Sequence, residues 1–122
     1  MTAPLDADAF RGRGFRVLMQ EADGIKAVKG RCEIHIRKTE QGTVLEIPVM
    51  RIPGDKTPSQ TFLNYLLERN GVMNGPGFFG IREGCIYYRA IAGFHESIEQ
   101  LALDMQHAVE QLGPKVINVA RQ

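Results

Sequence analysis

The side chains that could carry acid–base or metal chemistry are few and far apart in the sequence. The histidines His35, His95 and His107 fall on a predicted strand, a loop and a predicted helix. His107 and Glu110 share one helix face, which supplies at most half of a metal site and is more typical of a surface pair. No nucleophile, base and orienting group can be assigned from these spacings. The sequence therefore predicts no enzyme, no metal site and no cofactor.

The two cysteines, Cys32 and Cys85, lack the CxxC spacing of metal or redox motifs. We interpret them as small buried or half-buried hydrophobic residues, and the sequence leaves open whether either responds to oxidation. Residues 1–9 contain two aspartates and no basic region, so no signal peptide is expected. The apolar runs are shorter than the roughly 18 residues that a membrane helix needs. We expect a cytoplasmic protein without membrane insertion, in which a disulfide would be unusual.

A short basic segment offers one route to nucleic-acid binding. Arg11, Arg13 and Arg16 alternate with Phe10 and Phe15, a composition that can follow phosphates and stack on bases. The formal net charge of the whole chain is only +1, and a solvated helix face explains the segment equally well. Nucleic-acid binding is therefore the alternative prediction and not the main one.

Length and composition predict one globular domain. The chain has 122 residues, of which 43% are hydrophobic and 24% charged, enough to bury a single core. We assign the domain to residues 1–122, with residues 1–9 expected to be loose and residues 115–122 either loose or docked as an extended segment.

The first third of the chain is ambiguous. Residues 6–22 are predicted as one helix ended by Asp23-Gly24, although the glycines at 12 and 14 disfavour it. The alternative is a strand that starts at Phe15, since Phe15, Val17 and Met19 alternate. Residues 24–30 are predicted as a short extended segment or turn.

Two hairpins are clearer. Residues 31–38 and 43–52 alternate as strands, and a loop over residues 39–42 places Ile36 opposite Leu45 and His35 opposite Glu46. Pro48 predicts an edge strand or a bulge. Residues 77–82 and 85–92 form the second hairpin around Glu83-Gly84, which pairs Ile81 with Ile86 and Phe79 with Tyr88.

Two amphipathic helices complete the prediction. Thr57 is the predicted N-cap of a helix that ends at Asn70-Gly71, with an apolar stripe of Phe62, Leu63, Leu66 and Leu67. The preceding Lys56 resembles a phosphate-loop lysine, but the upstream glycine of that motif is missing. The last helix spans residues 97–112, begins with a capping box of Ser97 and Gln100, and is stopped by Gly113-Pro114. The predicted fold class is α+β: an antiparallel sheet of two hairpins with helices packed on one face.

The middle of the chain resembles a known group of proteins. A helix ending in a leucine pair and an asparagine precedes a hairpin of the form G-x-F-x-hydrophobic, then hydrophobic-x-aromatic-Arg. These positions are Leu66, Leu67, Asn70, Gly77, Phe79, Ile81, Ile86, Tyr88 and Arg89. Over residues 31–112 the pattern is similar to the bacterial sensory-transduction-regulator-like family and to the type III secretion chaperones that share its fold. The resemblance implies a non-enzymatic protein that binds another polypeptide, usually as a homodimer. Secretion chaperones are typically acidic, and this chain departs from that.

The sheet face opposite the helices is predicted to carry the binding surface. Such a face is normally polar, so contiguous apolar residues there indicate an interface. The predicted interface residues, for a partner polypeptide or a second copy, are Val44, Met50, Ile52, Phe78, Tyr87, Arg89 and Ile91, with Arg37 at the rim. A slip of register at Pro48 would change this set.

Overall fold

The structure is a computed structural model that describes residues 5–52, 58–72, 75–93 and 97–121. The elements in chain order are α1 (Ala7–Gly12), β1 (Arg16–Glu21), β2 (Gly24–Lys29), β3 (Cys32–Thr39), β4 (Gly42–Arg51), α2 (Gln60–Val72), β5 (Phe78–Arg82), β6 (Cys85–Ala92) and α3 (Ile98–Ala120).

The strands form one antiparallel sheet in the order β1-β2-β3-β4-β6-β5. Alternate residues of each strand turn their side chains to the helices, where Ile34, Leu45, Ile47 and Tyr88 are at most 1% exposed. All three helices contribute side chains to this one core. The α+β class with helices on one face is confirmed.

Both predicted hairpins have the predicted registers. Ile36 lies opposite Leu45 and His35 opposite Glu46 in the first hairpin. The second pairs Ile81 with Ile86 and Phe79 with Tyr88. Its turn residues Glu83 and Gly84 have φ of 52° and 73°, the left-handed values that a two-residue hairpin turn requires.

The prediction of one helix over residues 6–22 is wrong, and the alternative of a strand is correct, although the strand starts at Arg16. The predicted alternation of Phe15, Val17 and Met19 fails at Met19, which a bulge turns away from the core. Helix α1 ends at Gly12, and Gly14 takes a φ of +88° that turns the chain back. Phe15 then packs edge-on against Phe10, with ring centroids 5.6 Å apart. Strands β1 and β2 follow, so the sheet contains a third hairpin that the sequence interpretation lacked.

Pro48 marks a bulge and not a sheet edge. Strand β4 lies inside the sheet, between β3 and β6. Its register against β6 shifts between Pro48 and Met50, because proline cannot donate to the ladder. The shift places Met50 opposite the fully buried Ile86.

Helix α2 starts later than predicted. It begins at Gln60, where the Ser59 Oγ accepts a hydrogen bond of 3.1 Å from the Phe62 N–H. The predicted cap Thr57 lies outside the described residues. Phe62 and Leu66 are buried, but Leu67 is 71% exposed, so the predicted apolar stripe is narrower than expected.

Helix α3 continues through Gly113-Pro114 to Ala120, against the prediction that it stops there. A proline inside a helix costs about 3 kcal/mol. The turns beyond it offset this cost because Val116 is fully buried and Val119 packs on the core. The start is as predicted, since the Ser97 Oγ accepts a hydrogen bond from the Gln100 N–H.

Candidate protein-binding surface

The candidate site is a groove on the outer face, defined here as the sheet face opposite the helices. Phe78 and Ile91 flank Arg89 on this face, because Phe78 lies opposite Arg89 and Ile91 lies two residues further along β6. The outer groove has a volume of about 660 Å³, and its lining includes Phe78, Gly80, Arg82, Tyr87, Arg89 and Ile91.

The groove exposes large apolar side chains. Phe78 is 64% exposed and Ile91 58% exposed. Gly80 lies opposite Tyr87 and has no side chain, which leaves the face of β5 open between Phe78 and Arg82. The fold has no need of apolar groups at Phe78 and Ile91, because their inward neighbours fill the core.

A buried carboxylate lies on the floor of the groove. Glu46 is only 6% exposed. Its carboxylate oxygens lie 3.8 Å from Arg37 and 3.2 Å from Arg82. The Arg82 guanidinium also lies over the Tyr87 ring, 4.8 Å from its centroid. Hydrogen bonding with the Tyr87 side chain and, next, the charge of Glu46 raise the pKa of Arg82.

Arg89 has no ion-pair partner among the described residues. It lies opposite Glu46 in the ladder, yet the Glu46 carboxylate pairs with Arg37 and Arg82 instead. Within the described ranges, no carboxylate lies within 4.0 Å of the Arg89 guanidinium. Two arginines pair with Glu46 and Arg89 adds a third positive charge, so positive charge exceeds negative charge around this carboxylate.

The structure corrects the predicted site at two positions. Met50 and Ile52 pack against the core and do not join the outer face, because the bulge after Pro48 reverses the alternation. Val44 does lie on the outer face, opposite Ile91, but it is only 5% exposed and offers little surface to a partner. The groove brings Phe78, Tyr87, Arg89 and Ile91 together as predicted.

Two charged residues of the groove were not predicted. Glu46 and Arg82 are 36 residues apart in sequence, and their contact depends on the β4–β6–β5 strand order. The i, i+2, i+4 spacing of Phe78, Gly80 and Arg82 was the available signal, since such residues share a strand face.

The hairpin that carries Phe78 is fixed from the core side. The Gly77 N–H donates a 2.9 Å hydrogen bond to the Tyr88 hydroxyl. Burial raises the pKa of Tyr88, while that hydrogen bond opposes the rise. The Phe79 and Tyr88 rings are 4.9 Å apart. These contacts set the position of Phe78 above the groove.

The free edge of β5 is capped by a side chain. The Asn70 amide donates to the Phe79 carbonyl and accepts from the Phe79 N–H, both at 2.9 Å. Asn70 thus satisfies the backbone groups that an added strand would use at this position.

The aromatic residues of the basic segment are buried, which removes base stacking from the alternative nucleic-acid interpretation. Phe10 is 1% and Phe15 4% exposed, so neither ring can stack on a base. Arg11 forms an ion pair with Asp8 at 2.7 Å, and Arg13 donates to Gln100 at 2.6 Å. Arg16 is exposed on β1.

The remaining reactive side chains are scattered. The His35 ring lies 3.6 Å from the Glu33 carboxylate. His35 lies opposite Glu46 as predicted, but the Glu46 carboxylate forms its ion pairs with Arg37 and Arg82 instead. Both cysteines are free. Burial and, secondarily, Glu110 raise the pKa of Cys32. His95 lies outside the described residues.

Over the described ranges, no three His, Cys, Asp or Glu side chains are grouped to hold a metal ion. Among the helices described, none has the length and apolar character to cross a membrane.

Comparison with known proteins identifies the fold. No family model and no curated protein matches the chain. A solved structure is similar: a chain from the heterodimeric complex ExoU-SpcU of the type III secretion system of Pseudomonas aeruginosa. The likeness covers 89% of this chain and 96% of that chain, with a TM-score of 0.60 and 13% sequence identity. The predicted secretion-chaperone-like fold is thereby confirmed.

Proposed function

We propose that this chain, whose fold is that of the secretion chaperones, is a non-enzymatic, chaperone-like or regulatory module that binds another polypeptide and acts as a homodimer. The observation that carries the proposal is the outer groove, where exposed Phe78 and Ile91 flank Arg89, which forms no ion pair with the described part of the chain. The two free cysteines fit a cytoplasmic location, where thiols stay reduced.

Apolar burial supplies the affinity of such a contact. Phe78 and Ile91 are both more than half exposed, and fully burying a side chain of this size contributes about 1.5–3 kcal/mol. An aromatic residue in the centre of a desolvated groove is a typical binding hot spot. Two such residues on neighbouring strands favour a partner segment that presents apolar side chains side by side.

The arginines determine which segments bind well. Arg37, Arg82 and Arg89 outnumber the single carboxylate of Glu46. A partner segment with an acidic residue beside its apolar residues would place that acid against Arg89. A basic segment would be repelled.

The recognition we propose uses side chains and not strand addition. Asn70 occupies the backbone groups of Phe79 at the β5 edge, so a partner strand cannot pair with this residue. The similar solved structure is a heterodimeric complex, which supports a polypeptide partner for this fold. At the opposite edge of the sheet, β1 exposes Leu18 (47%) and Met19 (45%), apolar side chains that a second copy could cover in a homodimer.

Phe78→Asp is expected to abolish capture of the partner, because it places a carboxylate where an apolar contact is needed. The measurement is affinity capture from the native cell followed by mass spectrometry. Leu67→Asp is the matched control, since Leu67 is 71% exposed on α2 and outside the groove. Polypeptides captured by wild type and Leu67→Asp but not by Phe78→Asp support the proposal. Equal capture by both variants would show that the groove is not the binding surface.

A further inference from the structure

The two edges of the sheet differ in a way that bears on self-association. At β5 the side chain of Asn70 occupies the outward backbone groups of Phe79. The other edge is β1, which ends the strand order and exposes Leu18 and Met19. An open edge strand is a template for pairing with another chain.

The β1–β2 hairpin determines which backbone groups of β1 point toward β2 and which point away from it. The turn at residues 22–23 closes on the pair Glu21 and Gly24, and bonded and non-bonded pairs then alternate along an antiparallel ladder. The Gln20 backbone groups therefore point away from β2. In the β5–β6 hairpin, which closes on the pair Arg82 and Cys85, the same alternation turns the Phe79 backbone groups outward, where Asn70 binds them.

A bulge changes this alternation further along β1. The register shifts between Val17 and Met19, so that Leu18 is an extra residue. Beyond the bulge, Val17 is the residue whose backbone groups point outward. The outward positions of β1 are thus Val17 and Gln20, three residues apart instead of two.

This spacing makes β1 complementary to itself. We propose that β1 pairs antiparallel with β1 of a second copy, with Val17 of each chain opposite Gln20 of the other. The same register places Leu18 opposite Met19 and Arg16 opposite Glu21 across the two-fold axis. It brings opposite charges together twice in each dimer.

The side chains of Arg16, Leu18, Met19 and Glu21 share the outer face, as the pairing requires. Arg16 lies opposite Val28, Met19 opposite Lys26 and Glu21 opposite Gly24, all on the outer face. The extra residue Leu18 falls on the same face. A regular strand would have put Arg16 and Glu21 on opposite faces, so the bulge is what permits the charge pairs.

Both charged residues are available for this contact. Arg16 and Glu21 are exposed, and within the described ranges neither has an ion-pair partner within 4.0 Å. Four apolar side chains, Leu18 and Met19 from each copy, would meet at the centre. The inference rests on the homodimer of the proposed function and leaves the groove free, because β5 and β6 lie at the far side of the sheet from β1.

Charge reversal at β1 tests the pairing by sedimentation equilibrium. Arg16→Glu and Glu21→Arg each place like charges opposite one another twice, and each is expected to raise the dimer dissociation constant roughly tenfold. The double variant Arg16→Glu/Glu21→Arg restores complementarity and is expected to dimerise like wild type. Arg89→Glu is the control for a charge change at the groove and is expected to leave the dimer intact. Thermal unfolding of each variant verifies that it is folded.

The outcomes separate this inference from the proposed function. Weakened single variants with a recovered double variant support the pairing. A dimer insensitive to both single reversals overturns the β1 pairing while the homodimer stands. A wild-type chain that is monomeric at all concentrations overturns both the pairing and the homodimer, whereas partner capture through Phe78 is measured separately.

Discussion

Phe10→Ala is expected to lower the free energy of unfolding by about 3–5 kcal/mol, the usual cost of truncating a buried aromatic residue. Phe10 is 1% exposed and packs edge-on against Phe15. Helix α1 buries only two residues, Ala7 and Phe10, so the ring is its main attachment to the core. Chemical denaturation followed by circular dichroism measures the change.

The matched control for this substitution is Phe78→Ala, because Phe78 is 64% exposed. Its truncation is expected to change stability by no more than about 0.5 kcal/mol, as for most surface positions. A Phe10→Ala variant as stable as Phe78→Ala would place Phe10 on the surface. The basic segment around it would then again be a candidate for nucleic-acid binding.

Gly77→Ala is expected to destabilise the protein by about 3 kcal/mol, at the upper end of the usual range for overpacking. A Cβ at Gly77 would lie 2.3 Å from the Arg89 backbone oxygen and 3.3 Å from the Ala90 Cβ. Neither neighbour is a flexible side chain, so β5 must move away from β6. The movement also breaks the hydrogen bond from Gly77 to the Tyr88 hydroxyl.

Gly80→Ala provides the control in β5, the strand that follows Gly77. A Cβ at Gly80 meets nothing within 4 Å, and alanine suits a strand interior at least as well as glycine. Gly80→Ala is therefore expected to be as stable as wild type in thermal unfolding. Equal stability of the two variants would mean that Gly77 is not held against Arg89.

The two predicted hairpins could be read from the sequence because their signals are local. Glu83-Gly84 specifies a two-residue turn, and strict alternation on either side then sets the register. The exposed positions Phe78 and Ile91 follow from that register alone. This is why the centre of the candidate site was predictable.

The remaining features depend on tertiary contacts. Residues 6–22 carry both helical and alternating patterns, and the packing of Phe15 on Phe10 decides between them. Proline at position 114 is a reliable stop signal locally, but burial of Val116 outweighs it. In both cases burial in the common core decides the conformation, and the local sequence pattern does not encode it.

The bulge at Pro48 shows how one local irregularity changes a predicted site. The alternation of β4 continues in sequence through Met50, whereas the structure shifts register there and turns Met50 to the core. Glu46 was predicted to face His35, and its contacts with Arg37 and Arg82 required the strand order. The contacts of Glu46 were therefore not predictable from the local pattern of β4.

Photo-crosslinking from position 78 tests whether a partner polypeptide occupies the outer groove. Benzoylphenylalanine at position 78 is expected to crosslink the bound polypeptide in the native cell, because Phe78 lies at the groove and is largely exposed. The same group at position 67, on the exposed side of α2, is the control. Crosslinks to one polypeptide from position 78 and not from position 67 are the predicted result. Crosslinks from position 67 alone would contradict the assignment of the outer groove as the binding surface.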